Sequence, residues 1–206
     1  VQFLMKKNKI EVINGYGKVK PGKSVEVTAA DGSKKTYTTS HIILATGARS
    51  RELPNLKQDG KNIIGYREAM SLPEQPKSMV VVGSGAIGVE FAYFYNAMGT
   101  KVTVVEFMPN IVPVEDEEVS KQLERSLKKV GIEIMTSSSV ESVTVSGSTC
   151  SVKVKSAKGE SVITCEKVLS AVGITTNIEN IGLEECGIIT DKGKVVVNDF
   201  YQTNIP

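Results

Sequence analysis

The sequence has few of the residues that build metal centres and disulfide frameworks. It contains one histidine and three cysteines, Cys150, Cys165 and Cys186, in 206 residues. The cysteines are odd in number and far apart, which argues against a disulfide framework, a zinc site or a local redox pair. We therefore expect three buried or idle thiols. We expect His41 to be structural as well, because no partner for a catalytic base is evident beside it.

The sequence also lacks a charge excess and a long apolar run. Its 25 basic and 23 acidic residues leave a formal net charge of +2, and no basic cluster stands out, so the sequence predicts no nucleic-acid partner. No apolar stretch approaches the roughly 20 residues of a membrane span, and the N-terminus is too short in apolar length for a signal peptide. We expect a cytoplasmic protein with no membrane partner that binds a small molecule.

A glycine-rich stretch, residues 79–92, organises the rest of the chain. Four apolar residues precede Gly83, Gly85 and Gly88, and a helical pattern follows them. Gly83 would allow a sharp turn, Gly85 a close approach to a pyrophosphate, and Gly88 tight packing of the helix on the strand. The helix N-terminus would then hold the negative charge. The stretch predicts a dinucleotide site, with a ligand-free turn as the alternative.

An acid lies where a dinucleotide site requires one. The apolar run 102–105 ends in Glu106, roughly 20 residues beyond the glycines, where a carboxylate accepts from the ribose 2′-hydroxyl. Residues 107–110 are uncharged, so no arginine is available for the 2′-phosphate of NADP. The pattern favours NAD over NADP; an acid at a strand end without a ligand is the alternative. Glu90, in the helix after the glycines, is expected to be buried or half-buried in the first turn, either for the helix dipole or for function.

The order of elements predicts an α/β fold. Before the glycines we expect short strands at 11–14, 25–28 and 35–38, then a continuous apolar strand at 42–45 that is covered on both faces. Residues 55–78 are predicted to be a linker with a short helical stretch at 67–71. From residue 79 the pattern gives strand, helix, strand, helix, strand, meander, strand. This is a Rossmann-type parallel sheet with an antiparallel β-meander in the last crossover. The helices are predicted at 86–98 and 116–130, and the later strands at 132–135, 140–145, 151–155, 161–164 and 168–172.

These pieces together resemble the pyridine nucleotide–disulfide oxidoreductase family, and most closely its branch that oxidises dihydrolipoamide. The matching motifs cover nearly the whole chain: Asn14-Gly15-Tyr16-Gly17-Lys18, Ala45-Thr46-Gly47-Ala48-Arg49 with Leu53-Pro54, residues 83–90, Val104-Val105-Glu106, Ala171-Val172-Gly173 with Asn177, and Gln202-Thr203-Asn204-Ile205-Pro206. The resemblance implies a partial FAD-binding domain at 1–54, a linker at 55–78, an NAD-binding domain at 79–195, and a return to the FAD-binding domain at 196–206.

The resemblance also implies roles for particular residues. FAD would be bordered by Gly17, Thr46, Gly47 and Ala48, and NAD by Gly83, Ser84, Gly85, Ala86, Ile87, Gly88, Glu90, Glu106, Val140 and Gly173. Ala86 would lie where the nicotinamide meets the flavin, with Glu90 close to that ring. After Gly173 the family usually has an arginine and a proline, whereas this chain has Ile174, Thr175 and Thr176.

The family's redox cysteine pair, its first FAD-binding glycine turn and its dimerisation domain have no counterpart in these residues. The resemblance therefore implies a central fragment of a homodimeric enzyme that passes electrons from a lipoyl-bearing protein through the cysteine pair and FAD to NAD. The fragment alone is expected to be inactive. Alternatives are a fragment of an NADH-dependent flavin oxidase or ferredoxin-type reductase, and an NAD-binding module without turnover.

Overall fold

A computed structural model describes all 206 residues. The chain divides into two compact units, one formed by Arg49–Thr175 and the other by Val1–Ala48 together with Thr176–Pro206. No helix is both long enough and apolar enough to cross a membrane. The helices are α1 (Gln2–Lys7), α2 (Tyr66–Ala69), α3 (Ala86–Ala97) and α4 (Glu117–Lys129).

The Arg49–Thr175 unit is built on a five-stranded parallel sheet. Its strands, in spatial order, are β5 (Ile63–Ile64), β12 (Lys167–Ser170), β6 (Ser78–Val82), β7 (Lys101–Val105) and β8 (Glu133–Met135). A separate antiparallel sheet is formed by β9 (Ser138–Ser146), β10 (Thr149–Ser156) and β11 (Gly159–Cys165), between β8 and β12 in the chain. The predicted α/β fold, with a parallel sheet and a meander in its last crossover, is confirmed.

Both faces of the parallel sheet are buried, each in its own hydrophobic core. Successive strand residues point to opposite faces, so they enter the two cores alternately. Met79 and Val81 belong to the cluster that includes α3 and α4, which we call the helix-side core. Val80 and Val82 belong to the cluster that includes β9, β10 and β11, the meander-side core. This explains why β6 has no polar alternation in the sequence.

The two long helices end as the sequence predicts. Asp116 caps α4, its carboxylate accepting from the N–H groups of Glu118 at 2.8 Å and Val119 at 3.3 Å. Gly99 follows α3 and Gly131 follows α4, both with left-handed φ angles of 98° and 94°. On α4, Leu127 is buried whereas Val119 is exposed, so the buried stripe of this helix is narrow.

The region predicted as a linker, residues 55–78, contributes to the parallel sheet. Its Ile63 and Ile64 form the edge strand β5, paired in parallel with β12, and Leu56 is fully buried in the meander-side core. The short helix α2 follows β5. A two-residue strand is too short to show a periodicity in the sequence. Its position is set by pairing with β12 rather than by its own pattern.

The second unit contains a three-stranded antiparallel sheet of β1 (Tyr16–Lys20), β2 (Ser24–Thr28) and β3 (Lys34–Thr38). A two-stranded hairpin, β14 (Thr190–Asp191) with β15 (Lys194–Val195), follows later in the chain. The remaining pair, β4 (Ala48–Ser50) with β13 (Ile174–Thr176), lies at the two points where the chain passes between the units.

Two sequence predictions for this unit are wrong. Residues 11–14 are not a strand; the first strand is Tyr16–Lys20, with Gly17 opposite Val27. Residues 42–45 are not a covered strand either, and Ile43 is 89% exposed. A strand needs a neighbour for its N–H and C=O groups, and no strand of the chain pairs with residues 42–45. An apolar run in the sequence indicates a segment that tends to be buried, but it does not show whether a neighbouring strand is present to pair with it.

Candidate functional site

The turn after β6 requires glycine at two positions. Gly83 has a φ of 96°, and a Cβ there would lie 2.5 Å from the carbonyl oxygen of Ala171. A Cβ on Gly88 would lie 2.0 Å from the carbonyl oxygen of Gly83, so the first turn of α3 packs directly on the turn that precedes it. Both contacts involve backbone, which has little freedom to shift. The geometry explains why the stretch needs these glycines independently of any ligand.

Gly85 is different, because no atom lies within 4 Å of the position of its Cβ. It is the N-cap of the 12-residue helix α3. The N–H groups of Ala86, Ile87 and Gly88, in the first turn, donate to no acceptor in the protein. Free N–H groups at a helix N-terminus, in front of open space, form an anion site. This arrangement has the properties needed to hold a pyrophosphate.

Glu106, at the end of β7, is only 6% exposed and is held by three hydrogen bonds. Its Oε2 accepts from the backbone N–H of Ser84 and from the Ser84 hydroxyl, both at 2.7 Å, and its Oε1 accepts from the N–H of Met108 at 2.8 Å. A carboxylate offers about four lone-pair positions, which leaves about one for a ligand hydroxyl. Glu106 therefore also fixes the glycine turn, a role that the sequence spacing did not reveal.

Ser84 is fully buried, and its side chain points to Glu106. Its carbonyl oxygen accepts from the N–H of Val112 at 2.9 Å. The backbone of Glu106 is fixed as well, its N–H donating to Met135 at 2.8 Å and its carbonyl accepting from Ser138 at 2.9 Å. The turn after β6 and the end of β7 thus form one hydrogen-bonded structure at the carboxyl edge of the sheet, where ligands of open α/β sheets bind.

Glu90 differs from its prediction. It is exposed and is the fifth residue of α3, and the first turn of this helix contains no acid. It lines a cavity of about 340 Å³ together with Ala69, Met70, Phe91 and Phe94. Helical periodicity could not distinguish an exposed position here, because α3 is apolar on nearly every side.

Two further predicted residues of this unit have backbone roles. The side chain of Val140 is buried in the meander-side core, and its carbonyl oxygen accepts from Asn55 Nδ2 at 2.6 Å. Gly173 has a φ of 107°, and its carbonyl accepts from the N–H of Arg51 at 3.0 Å. Ile87 is half-buried within the first turn of α3.

The other predicted residues, Gly17, Thr46, Gly47 and Ala48, lie in the second unit. Asn177 is hydrogen-bonded to two of them: its backbone N–H donates to Gly47 O at 3.0 Å and its Nδ2 to Thr46 O at 3.2 Å. Gly47 has a φ of 74°, which favours glycine. A Cβ on Gly17 would make only an ordinary contact, 3.6 Å from Val25.

Two of the cysteines lie next to each other in the structure, which their spacing in the sequence did not indicate. Cys150 on β10 lies directly opposite Cys165 on β11, and both are buried in the meander-side core. Burial raises the pKa of Cys165 to about 12 and also raises the pKa of Cys150. Thiols in such surroundings are inert. No group of three or more histidine, cysteine, aspartate and glutamate side chains is arranged to hold a metal ion, and His41 is exposed.

Comparison with known proteins identifies the family. The family model of the pyridine nucleotide-disulphide oxidoreductases matches residues 1–206. This chain belongs to that family. It is 45% identical to a dihydrolipoyl dehydrogenase of Rhizobium etli and 41% identical to one of Zymomonas mobilis, in each case over the whole chain but only 46% and 44% of the relative. The chain therefore spans somewhat less than half the length of these curated relatives.

Solved structures show the same fold. The crystal structure of LpdA from Mycobacterium tuberculosis aligns with a TM-score of 0.82 and 30% identity, covering 96% of this chain and 44% of LpdA. The flavoprotein disulfide reductase RclA from Escherichia coli aligns over 99% of this chain and 47% of RclA, with a TM-score of 0.81 and 24% identity. The second likeness supports the fold alone.

Proposed function

We propose that Arg49–Thr175 binds NAD(H) for a dihydrolipoamide dehydrogenase. The observation that carries this proposal is the pairing of an open, donor-rich helix N-terminus at Gly85 with the buried carboxylate of Glu106, at one edge of a parallel sheet. The N–H groups of Ala86, Ile87 and Gly88 would hold the pyrophosphate, and Glu106 would accept from the adenosine ribose. When bound, NAD accepts a hydride.

The chain's own residues do the binding and positioning in this proposal. Gly83 and Gly88 bring the start of α3 against the sheet, which places the free N–H groups at its carboxyl edge. Ser84 and Met108 hold the Glu106 carboxylate in a single orientation before a ligand arrives. We include Glu90, Val140 and Gly173 in the nicotinamide half of the site on the strength of the family resemblance.

For the whole protein we propose the reaction named for its relatives. Dihydrolipoamide and NAD⁺ would give lipoamide, NADH and a proton, with a lipoyl-bearing protein as substrate and a homodimer as the active form. Gly17, Thr46, Gly47 and Ala48 would border FAD. The contacts of Gly17 do not themselves require glycine, because a Cβ there would make only an ordinary contact with Val25.

The chain by itself is proposed to bind nucleotide without turnover. Cys150 and Cys165 are buried with raised pKa values, and Cys186 stands apart, so none of them is placed to take electrons from a dithiol. NADH formation from dihydrolipoamide by the purified 206-residue chain would contradict this. A fragment of a flavin NADH oxidase or ferredoxin-type reductase is the other candidate for the parent, because those enzymes share the nucleotide turn.

Calorimetric titration with NAD⁺ and NADH tests the binding proposal. Wild type should bind in the micromolar to millimolar range. Gly85→Ala should fold normally and bind at least about tenfold more weakly, since its Cβ would enter the open space reserved for the pyrophosphate. Gly17→Ala is the matched control and should bind like wild type. Absence of binding by the folded wild-type chain would overturn the proposal.

A further inference from the structure

A second cavity of the Arg49–Thr175 unit is not used by the proposed nucleotide site. It has a volume of about 690 Å³ and is lined by the following residues: Arg49, Ser50, Arg51, Glu52, Gln58, Arg67, Glu68 and Thr175. None of them belongs to the glycine turn or to the surroundings of Glu106. All eight lining residues are polar or charged, with three guanidinium groups against two carboxylates, so the net charge of the lining is positive.

Two hydrogen-bond donors of this cavity lack acceptors. The Nε2 atom of Gln58 is buried and has no hydrogen-bond partner. A buried amide donor without a partner is unfavourable, so its presence beside a cavity calls for an acceptor. Arg51 forms no ion pair with any carboxylate of the chain. Its backbone is nevertheless fixed, because its N–H donates to Gly173 O at 3.0 Å.

The floor of the cavity is specifically shaped. Gly65 is buried directly after β5, and a Cβ there would lie 2.6 Å from both Gln58 Oε1 and Ser50 Oγ. The N–H of Gly65 donates to Glu68 Oε2 at 3.0 Å, which occupies one of the two carboxylates with the backbone. Glycine at position 65 therefore lets the side chains of Gln58 and Ser50 line the cavity in their observed positions.

The location also suits a ligand. Gly65, Arg67 and Glu68 follow the carboxyl end of β5, which is parallel to β12 and β6. Ligands of open parallel sheets bind at the carboxyl ends of the strands. Pockets of about 300–1,000 Å³ hold small molecules, and this cavity lies within that range.

We propose that this cavity binds the oxyanion group, phosphate or carboxylate, of a small metabolite. The oxyanion accepts from the Arg51 guanidinium, whose fork of N–H groups pairs with two oxygens of either group, and from Gln58 Nε2 once this buried amide turns toward the cavity. Glu52 accepts from hydroxyl groups elsewhere on the same ligand. The cavity shares no residue with the glycine turn or with the surroundings of Glu106.

The experiment follows side-chain resonances of ¹⁵N-labelled protein during titration with inorganic phosphate, and separately with succinate. The Gln58 amide pair, assigned by its loss in Gln58→Met, should move in a saturable manner with one of the two probes. The exposed Gln122 amide on α4 is the internal control and should not move. Which probe saturates distinguishes a phosphate ligand from a carboxylate ligand.

Variants then test the donors. Arg51→Gln should weaken binding of the saturating probe at least about tenfold, because a charge-assisted hydrogen bond is lost, whereas Arg125→Gln on the exposed face of α4 should leave it unchanged. Thermal unfolding of each variant shows that it is folded. The proposal is overturned if neither probe moves Gln58, or if Arg51→Gln and Arg125→Gln behave alike. It is also overturned if Gly85→Ala abolishes the effect, because the anion would then lie at the glycine turn.

NAD titration of Arg51→Gln should match wild type. A failure of the proposed nucleotide site can therefore be distinguished from a failure of the anion site.

Discussion

The two compact units of this chain have similar kinds of elements but very different interiors. Arg49–Thr175 contains both hydrophobic cores, and most residues of its strands β6, β7 and β12 are buried between helices and a meander. In the other unit, Ile181 and Leu183 are the buried apolar side chains, and Ile43 and Phe200 are more than 80% exposed. Because apolar burial is the main favourable term in folding, the comparison predicts that stability is concentrated in the nucleotide-binding unit.

Amide hydrogen exchange gives the largest expected contrast. Amides of β6, β7 and β12 should exchange on the order of 1,000-fold more slowly than those of β1, β2 and β3, since the latter open without disrupting a core. Mass spectrometry of peptic fragments measures both sets in one experiment. Equal protection in the two sheets would contradict the comparison.

The two units should also differ in the reactivity of their cysteines. Burial holds the pKa of Cys165 near 12, against an ordinary value of 9.0, so its thiolate fraction at pH 8 is lower by a factor on the order of 10³. Cys186, half-buried in the other unit, should be alkylated by iodoacetamide first. Rapid labelling of Cys150 or Cys165 in the folded protein would show that the meander opens easily.

The same thiol gives the Arg49–Thr175 unit a predictable alkaline limit. The folded state binds the Cys165 proton more tightly than the unfolded state. The contribution of this proton to the free energy of unfolding is therefore complete below about pH 9. It is lost as the pH rises from about 9 towards 12, and chemical denaturation at several pH values measures the slope. Cys165→Ala should flatten the slope, whereas Cys186→Ala should not.

Two glycine substitutions, at positions 88 and 85, separate folding from binding within the nucleotide unit. Gly88→Ala places a Cβ 2.0 Å from a backbone oxygen and should destabilise this unit by at least about 3 kcal/mol, the upper part of the range for overpacking. Gly85→Ala adds the same methyl group to open space and should leave the unfolding midpoint nearly unchanged. Denaturant titration of both variants measures the difference. Similar stabilities would mean that the first turn of α3 can move away from Gly83.

The sequence predicts the nucleotide unit well because its signals are local. The apolar run of β6, the glycine turn, the caps of α4 and the alternation of the meander each report a structure formed within a few residues. Predictions failed where structure depends on a distant partner. Residues 42–45 lack a neighbouring strand, β5 exists only through its pairing with β12, and the opposition of Cys150 and Cys165 follows from register rather than spacing.

For the candidate site, the spacing predicted Glu106 but not its surroundings. The interval from the glycines to the acid is fixed by one helix and one strand, so it is visible in the sequence. That Ser84 and Met108 use most of the hydrogen-bonding capacity of the carboxylate depends on side-chain orientation, which no pattern encodes. The same applies to the orphan amide of Gln58, which becomes apparent only when the cavity is seen.

The smallest expected effect concerns cofactor choice. A 2′-phosphate would bring a second anion against the buried Glu106 carboxylate, and residues 107–110 offer no arginine to compensate. We expect a preference for NAD(H) over NADP(H) of about 2 kcal/mol, or thirtyfold, in calorimetric titrations. Equal wild-type affinities would rule out Glu106 as the selector.

The variant Glu106→Gln sharpens this prediction. Because Glu106 also holds the glycine turn by hydrogen bonds, the substitution should affect protein stability as well as cofactor binding. Whichever way the new amide is oriented, its NH₂ group faces a backbone N–H, that of Ser84 or that of Met108. The variant should therefore lose about 1–3 kcal/mol of unfolding free energy, the cost of an unpaired buried donor. It should also lose most of the discrimination between the cofactors, because the repelling charge is gone. Glu115→Gln removes an exposed carboxylate nearby in the sequence and should change neither quantity. If Glu106→Gln keeps the wild-type affinity ratio while becoming less stable, the carboxylate serves the turn alone and the selectivity lies elsewhere.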